Sequence, residues 1–355
     1  VAAALERRGL ARGDRVFGWA RNSAETLLAY LATLSLGAIW SSAAPDMGNE
    51  LLLSRAGQTS PKLLFADPSY PYHGALRDNR PRIAEVVGAL GSVTRVVSLG
   101  DAFEVGGSVE AETLRDLLDE PGEPLAAYPA LPFNHPLLIL FSSGTTGAPK
   151  CIVHGAGGTL LEHLKELGVH SGLGPGKRIL FHTTTGWMMY NWLVSALGVG
   201  ATIVLYDGSV SFPEADALLG VVAREQVTHF GTSPAYLSYC EGAELVPRER
   251  HDFGALLRML STGSVLSERM VDYALASIKQ VPIESISGGT DIVGCFVLGS
   301  PNEAVIRGRS PALSLGLDVR AAVTGPSGTQ LLRAPSEGFV SGELVCAAPF
   351  PSRPL

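Results

Sequence analysis

The chain has 355 residues, more than a single hydrophobic core usually organises, so we expect two or three packed units. Hydrophobic residues make up 46% of the chain and charged residues 17%, a composition that excludes a disordered protein. The 27 basic and 34 acidic residues give a net charge of −7 without a long basic run, which argues against a nucleic-acid-binding protein.

The four cysteines lie far apart and form no C-x-x-C pair. A disulfide framework and a structural zinc site are therefore not expected, whereas a reducing compartment such as the cytoplasm is. The chain begins at Val1 without a signal-peptide pattern and ends in a proline-rich turn after a strand at 343–346. We therefore expect it to be a fragment of a longer protein.

In chain order, the first strong pattern is a helix over residues 24–36, with Asn22 and Glu25 spaced as a capping box and Gly37 ending the helix. Further helices are predicted at 187–197, 214–224 and 268–279. Short apolar segments predict buried strands at 62–66, 95–99, 137–141, 201–206, 229–231 and 282–287. Strands that alternate with helices predict a parallel α/β architecture.

One stretch, between Arg178 and Asp207, contains no Lys, Arg, Asp or Glu and is long enough to span a bilayer. Three threonines, Asn191 and several glycines divide its apolar residues into two pieces. We therefore interpret the stretch as a helix and a strand in the core of a globular protein, and we expect no membrane segment.

The segment 101–136 is acidic and contains five prolines, which is typical of a connection between subdomains. We therefore predict a first α/β subdomain at 1–135, which includes this connection, and a second α/β subdomain at 136–291. From 292 the pattern changes to short strands and turns, so a small β-rich unit is predicted at 292–355.

A glycine- and hydroxyl-rich loop follows the apolar strand LLILF directly. The loop residues with ligand-binding potential are Ser142, Ser143, Gly144, Thr145, Thr146, Gly147 and Lys150. Backbone N–H groups and hydroxyls can donate to a phosphate, glycine lets the backbone come close to it, and lysine adds positive charge. The spacing is not that of a Walker A motif. An ordinary polar turn with a solvated lysine is the alternative.

The string SSGTTGAPK resembles the signature loop of the adenylate-forming superfamily, which contains acyl-CoA synthetases, luciferases and peptide-synthetase adenylation domains. Within that superfamily, further strings resemble the acetoacetate–CoA ligases: GAIWSSAAPDMG, TTTGWMMYNW, STGSVLS and SISGGTD, at 37–48, 183–192, 261–267 and 285–291. The resemblance extends over nearly the whole chain and is strongest from 134 to 297.

This resemblance implies a large N-terminal domain made of two packed α/β subdomains and the start of a β-barrel. A mobile C-terminal domain with the adenylation lysine, and the aspartate that binds ribose, would lie outside this chain. The implied reaction uses ATP, Mg²⁺ and CoA with small-molecule partners. A carboxylate attacks the α-phosphorus of ATP, and the thiol of CoA then displaces AMP from the acyl-adenylate.

The resemblance also assigns roles to residues by position. Thr290 and Lys150 match catalytic residues, and Asp291 matches the acidic residue that helps to hold Mg²⁺, where most relatives carry Glu. Beyond the loop above, the residues implied to bind ATP are Gly263, Ser264, Val265, Ser287, Gly288, Gly289 and Thr290. From composition alone, these segments would be read as glycine turns.

Trp187, Met188 and Met189 match the wall of the acyl pocket, although periodicity alone would assign them to the core. Acetyl-CoA synthetases have a tryptophan where Gly288 stands, so the glycine implies room for an acid longer than acetate. Asn191 and Thr185 are candidates for contacting the 3-keto oxygen because they lie close to this stretch in the sequence.

The histidines form no metal-binding pattern, although His163 and His170 could share one helix face. Only His182 is retained as a candidate near the substrate. Two alternatives stay open at this point. One is an acyl-CoA synthetase for another short acid, and the other is a non-catalytic nucleotide-binding module.

Overall fold

The computed structural model describes residues 1–142, 149–310, 312–326, 328–333 and 338–355. Its α-helices are α1 (Ala2–Arg7), α2 (Ala24–Ser35), α3 (Asn49–Thr59), α4 (Arg80–Leu90), α5 (Leu114–Asp119), α6 (Ala156–Leu164), α7 (Met188–Val194), α8 (Ala217–Arg224), α9 (Pro234–Gly242) and α10 (Glu268–Ser277). A π-helical segment, Lys165–His170, continues α6. Short 3-10 helices span Ser195–Val199, Pro247–Glu249 and Thr290–Ile292.

The strands are short and are distributed along the whole chain. They are β1 (Arg15–Trp19), β2 (Ile39–Ala43), β3 (Leu63–Ala66), β4 (Ser69–Tyr72), β5 (Ala75–Asp78), β6 (Arg95–Ser98), β7 (Glu110–Thr113), β8 (Pro136–Ser142), β9 (Lys150–Gly155), β10 (Arg178–Phe181), β11 (Thr202–Ile203), β12 (His229–Thr232), β13 (Arg258–Ser261), β14 (Ile283–Ser285), β15 (Ser287–Gly289), β16 (Gly294–Leu298), β17 (Ala312–Leu313), β18 (Val319–Gly325), β19 (Gly328–Leu331) and β20 (Glu343–Cys346).

The first sheet has the strand order β7-β6-β3-β1-β2-β8-β9. All of its pairs are parallel except that β9 pairs antiparallel with β8. The central strands β1, β2 and β3 are buried along almost their whole length, as expected where helices cover both faces of a parallel sheet.

The second sheet is entirely parallel, with the order β11-β10-β12-β13-β14. Side chains from α8, α9 and α10 form a hydrophobic core with its strands. The two sheets confirm the predicted α/β class. From β15 onward the pairing becomes antiparallel, in the sheets β15-β16-β17 and β19-β18-β20. In the described residues, no helix has both the length and the apolar composition that a membrane span requires.

Strand pairing differs from the predicted division of the chain at residue 136. Both β8 and β9 follow that point, yet they belong to the first sheet. The segment 101–136 is also not a bare connection, because it contains β7, which pairs with β6, and α5. The five prolines indicated a connection between subdomains. The pairing of β7 with β6 joins residues that are distant in the sequence, so no local periodicity could have predicted this strand.

The predicted capping box of α2 is wrong by one residue. Ser23 is the N-cap, with an extended backbone, and its side chain accepts a hydrogen bond from the Thr26 amide at 3.3 Å. Asn22 is instead buried, and its Nδ2 donates to the carbonyl oxygen of Thr183 at 3.3 Å. The chain between 187 and 206 is also less regular than predicted, because α7 gives way to a 3-10 helix and β11 ends at Ile203.

Candidate functional site

A cavity of about 510 Å³ lies where two strands of the second sheet end. One part of its wall follows β13 and another follows β14, so it occupies the carboxyl edge of a parallel sheet, where ligands of open α/β folds usually bind. The residues that line it are Trp187, Met188, Met189, Thr262, Gly263, Ser264, Val265, Ser285, Ile286, Ser287, Gly288, Gly289, Thr290, Gly294 and Cys295.

The cavity brings together two groups of residues that are far apart in the sequence. Residues 187–189 are those predicted to contact the acyl group, and 263–265 and 287–290 are those predicted to contact the nucleotide. A volume of this size is within the range of small-molecule sites. An acid and the phosphate end of a nucleotide could therefore meet here, as the formation of an acyl-adenylate requires.

The aromatic wall is rigidly packed. Trp187 precedes the first turn of α7, and its ring makes an edge contact with Phe181 at a centroid distance of 6.1 Å. Met188 and Met189 are almost fully buried while still lining the cavity. Gly263 has a φ of +100°, and a Cβ there would lie 3.9 Å from the Trp187 ring. The 3.9 Å distance is an ordinary contact, so the positive φ explains the glycine at that position.

The opposite wall is the hairpin of β15 and β16. Gly288 lines the cavity, but the direction in which its side chain would project is filled by backbone. A Cβ at Gly288 would overlap the carbonyl oxygen of Gly294 and lie 2.5 Å from the Cα of Cys295. The glycine is therefore required for close strand pairing. The expectation that its missing side chain opens the pocket has no support in this geometry.

Thr290 and Asp291 form the 3-10 turn that connects these two strands. Thr290 is half-buried at the cavity edge, whereas the Asp291 carboxylate is exposed and does not line the cavity. Among the described residues, no cluster of three His, Cys, Asp or Glu side chains could hold a metal ion. A single exposed carboxylate nevertheless fits Mg²⁺, which usually keeps several waters and is shared with substrate phosphates.

The other predicted phosphate-binding residues belong to the hairpin of β8 and β9. Ser142 and Lys150 pair with each other at the end of the hairpin next to residues 143–148, and neither lines the cavity. Residues 143–148 lie outside the described part of the chain, and with them the predicted roles of Ser143, Gly144, Thr145, Thr146 and Gly147. The hairpin contacts the site through His154, whose Nε2 lies 2.7 Å from the carbonyl oxygen of Thr290.

The two candidates for contacting a keto oxygen differ in their surroundings. The Thr185 hydroxyl donates to the carbonyl oxygen of Ala20 at 2.7 Å and is thereby occupied. Asn191 is only 1% exposed, and neither atom of its amide has a hydrogen-bond partner among the described residues. It lies three residues after Met188 on α7, so it shares the helix face of a cavity-lining residue.

A second cavity, of about 320 Å³, lies between the two sheets. His182 lines this cavity and not the first one, and burial lowers the pKa of its imidazole. The Arg21 guanidinium lies at the same cavity, 3.2 Å from Asp67 and 3.5 Å from Asp207. The structure thus places His182 apart from the predicted acyl wall.

Sequence reasoning missed five residues that line the main cavity, namely Thr262, Ser285, Ile286, Gly294 and Cys295. Three of them, Thr262, Ser285 and Ile286, lie inside the recognised motifs STGSVLS and SISGGTD but were not assigned a role. Gly294 and Cys295 enter through the antiparallel pairing with Gly289 and Gly288. In the string GGTDIVG, Gly289 and Gly294 flank a short turn. This spacing is the signal that could have predicted the hairpin.

The chain matches the AMP-binding enzyme family over residues 1–351 and belongs to that family. It is 44% identical over 357 residues to the acetoacetyl-coenzyme A synthetase of Rhizobium meliloti (strain 1021) and 41% identical over 362 residues to the acetoacetyl-CoA synthetase of Mus musculus. Each alignment covers 99% of this chain and 53% of the relative. The chain thus spans about half the length of these curated relatives.

A solved structure, the acetoacetyl-CoA synthetase from Streptomyces lividans, matches with a TM-score of 0.88 and 40% identity. The match covers 99% of this chain and 54% of that one. These relationships confirm the resemblance to the adenylate-forming superfamily and, within it, to the acetoacetate–CoA ligases.

Proposed function

We propose that this chain is the nucleotide- and acid-binding part of an ATP-dependent acid–thiol ligase. The enzyme activates acetoacetate as an acyl-adenylate and transfers the acyl group to CoA. The observation that carries the proposal is the shared cavity, in which Trp187, Met188 and Met189 face the loop 262–265 and the segment 285–290. The acetoacetyl-CoA synthetases to which the chain is similar support the choice of acid.

Charge is the main obstacle to this reaction, because a carboxylate must approach the α-phosphorus of a polyanion. Hydrogen-bond donors in fixed positions can stabilise the negative charge that develops. In this chain we assign that role to the Thr290 hydroxyl at the cavity edge and to the paired residues Lys150 and Ser142 of the β8–β9 hairpin. Asp291 would hold Mg²⁺, which supplies positive charge at the phosphates.

The proposal includes a cytoplasmic location, supported by the chemistry of the thiols. Cys151, Cys240, Cys295 and Cys346, which all lie within the described residues, are free. Free cysteines without disulfides are typical of reducing compartments.

A substrate panel tests the proposed reaction. The enzyme expressed from the complete reading frame around this chain is assayed for ATP–pyrophosphate exchange and CoA-ester formation with acetoacetate, acetate, propionate and butyrate. We expect the highest kcat/KM with acetoacetate. A clear preference for another acid would reassign the enzyme to that acid. Nucleotide binding without exchange for any acid would favour a non-catalytic binding module.

Asn191 is the residue that we propose to contact the 3-keto oxygen of the substrate. A buried amide without partners costs free energy, and a ligand that accepts a hydrogen bond from Nδ2 removes part of that cost. The variant Asn191→Leu keeps a similar volume but cannot donate. We expect its preference for acetoacetate over butyrate to fall about 2- to 10-fold, because a net hydrogen bond contributes roughly 0.5–1.5 kcal/mol. An unchanged ratio of kcat/KM values would exclude this contact.

A further inference from the structure

Two buried glutamates and one half-buried lysine lie behind the main cavity, on α6 and the π-helical segment that continues it. This carboxyl cluster consists of Glu162, Lys165 and Glu166. Glu166 is 0% exposed, and Lys165 Nζ lies 2.6 Å from Glu162 Oε1. Burial and the neighbouring Glu162 raise the pKa of Glu166. Burying a carboxyl group costs free energy unless hydrogen bonds compensate for the lost water. The hydrogen-bond partners of Glu166 are therefore the groups that this side chain holds in place.

Glu166 binds both walls of the cavity at once. Its Oε1 accepts a hydrogen bond from the backbone amide of Cys295 at 2.6 Å, and its Oε2 accepts one from Trp192 Nε1 at 2.8 Å. Cys295 lines the cavity and pairs with Gly288 in the hairpin of β15 and β16. Trp192 belongs to α7, the helix whose first turn carries Met188 and the rest of the acyl wall.

The contact with Trp192 continues to the cavity through aromatic rings. Trp192 makes an edge contact with Phe181 at 5.8 Å, and Phe181 makes another with Trp187 at 6.1 Å. Trp192 and Phe181 are fully buried in a close-packed core. A shift of the Trp192 ring would therefore displace the Phe181 ring that it contacts. The position of the Trp187 wall therefore depends on the hydrogen bond between Trp192 and Glu166.

We propose that Glu166 is a positioning residue that fixes the separation of the two cavity walls and thereby selects the length of the acid. This inference rests on the proposed function. A carboxyl group suits the task because its two oxygens accept from two donors that approach from different elements. Small changes in the separation would matter, since a misplacement of about 1 Å can cost on the order of 100-fold in rate.

The variant Glu166→Gln tests the inference in the enzyme from the complete reading frame. The amide keeps the shape of the side chain but offers only one oxygen, so either Cys295 or Trp192 loses its acceptor. We expect the kcat/KM ratio of acetoacetate to acetate to fall at least fivefold, because the longer acid touches more of both walls. The KM for ATP should stay within about twofold of the wild-type value, and this split separates positioning from a general loss of structure.

Glu162→Gln is the matched control. Glu162 belongs to the same buried cluster and also lies against Gly294, but its hydrogen bond runs to Lys165, and it accepts from neither Cys295 nor Trp192. We expect this variant to lose stability and to keep the wild-type acid ratio. An unchanged ratio in Glu166→Gln, or an equal change in Glu162→Gln, would overturn the inference.

A second variant covers the case in which Glu166→Gln does not fold. Trp192→Phe removes only the indole donor and should lower the same ratio, so a wild-type ratio in this variant would also overturn the inference.

Failure of the proposed function would give a different result, namely a wild-type enzyme that prefers another acid. The ratio is then measured between that acid and its homologue one carbon shorter. A wild-type enzyme that activates no acid overturns both proposals.

Discussion

Gly288 and Gly289 are neighbours in β15, yet a side chain would meet very different surroundings at the two positions. At Gly288 a Cβ would overlap the carbonyl oxygen of Gly294, which belongs to the paired strand and cannot move alone. At Gly289 the nearest atoms, in Asp291, would be 3.8 Å away, an ordinary contact distance. The backbone of Gly289 is extended, at φ −161°, so it tolerates any residue.

This difference predicts that the same substitution destabilises the chain far more at Gly288 than at Gly289. Gly288→Ala should lower the free energy of unfolding by about 1–3 kcal/mol, because the strands must separate to admit a methyl group. Gly289→Ala should change it by less than about 1 kcal/mol. Urea unfolding of both variants measures the effect. If the two are equally stable, the close approach of β15 and β16 is incorrect.

The same geometry bears on the choice of acid. The resemblance suggested that a tryptophan at position 288 would close the pocket and that glycine opens it. Because the side-chain direction at Gly288 points into the backbone of β16, a tryptophan there would require a different path of that strand. We therefore attribute the proposed selection of the acid to the wall at 187–189 and to the residues that we propose to hold it, Trp192 and Glu166.

At the level of elements, three histidines between β9 and the end of the π-helical segment bind the segment that begins at Thr290. His154 precedes α6, His163 lies in α6, and His170 ends the π-helical segment. Their ring nitrogens lie 2.7–2.8 Å from the carbonyl oxygens of Thr290, Val293 and Gly299, respectively. A carbonyl oxygen only accepts, so each ring donates to it. These three rings therefore connect the region of α6 with the segment from Thr290 to Gly299.

His163 makes the stability of the chain dependent on pH. Burial lowers the pKa of its imidazole to about 4, compared with about 6.5 in an unfolded chain. The unfolded state therefore binds a proton first, and the contribution of His163 to stability is lost as the pH falls from about 6.5 to about 4. The free energy of unfolding should decrease across this window.

The variant His163→Gln isolates this contribution. It removes the titration, so its stability should fall less steeply between pH 6.5 and 4, by up to about 1.4 kcal/mol per pH unit. The contributions of other buried groups, such as His229 and Glu166, are common to both proteins and cancel in the comparison. Urea unfolding at several pH values measures the two slopes, and equal slopes would show that the pKa of His163 is not lowered in the folded chain.

Local patterns in the sequence were sufficient to predict part of the fold and part of the candidate site. The helix at 24–36 and the strand at 62–66 were predicted nearly to their ends, because each carries a periodicity or an apolar run of its own. The predicted acyl and nucleotide residues came from motifs, and the structure brings many of them into one cavity.

Contacts over a distance were not predictable in this way. The pairing of β8 and β9 with the first sheet and the approach of Cys295 to Gly288 depend on partners far along the chain. Glu166 is the clearest case. Its position on a helix gives no reason to expect a buried carboxyl group, because its two donors lie 26 and 129 residues away.

At the scale of the whole molecule, buried hydrogen bonds join the two parallel sheets. They connect the ends of β1 and β2 with the loop that follows β10. Ser42 Oγ donates to the carbonyl oxygen of Thr185, and Thr185 Oγ1 donates to that of Ala20, both at 2.7 Å. Gly186 allows this approach, because a Cβ there would lie only 3.2 Å from the Cα of Ala43. The next residue is Trp187, so the contact between the sheets also holds the cavity wall.

Thr185→Val tests whether the two sheets act as one unit. The valine keeps the shape of threonine but leaves the buried carbonyl oxygen of Ala20 without this donor, which should cost about 1–3 kcal/mol in the free energy of unfolding. Because the bond joins the sheets, both should respond together, and urea unfolding should show a single transition at a lower midpoint. Fluorescence of Trp19 and Trp40 reports on the first sheet, and that of Trp187 and Trp192, whose rings contact Phe181 of β10, reports on the second. Single-tryptophan variants in the Thr185→Val background separate the two signals, and two midpoints that differ would show that the sheets unfold independently and that this contact does not couple them.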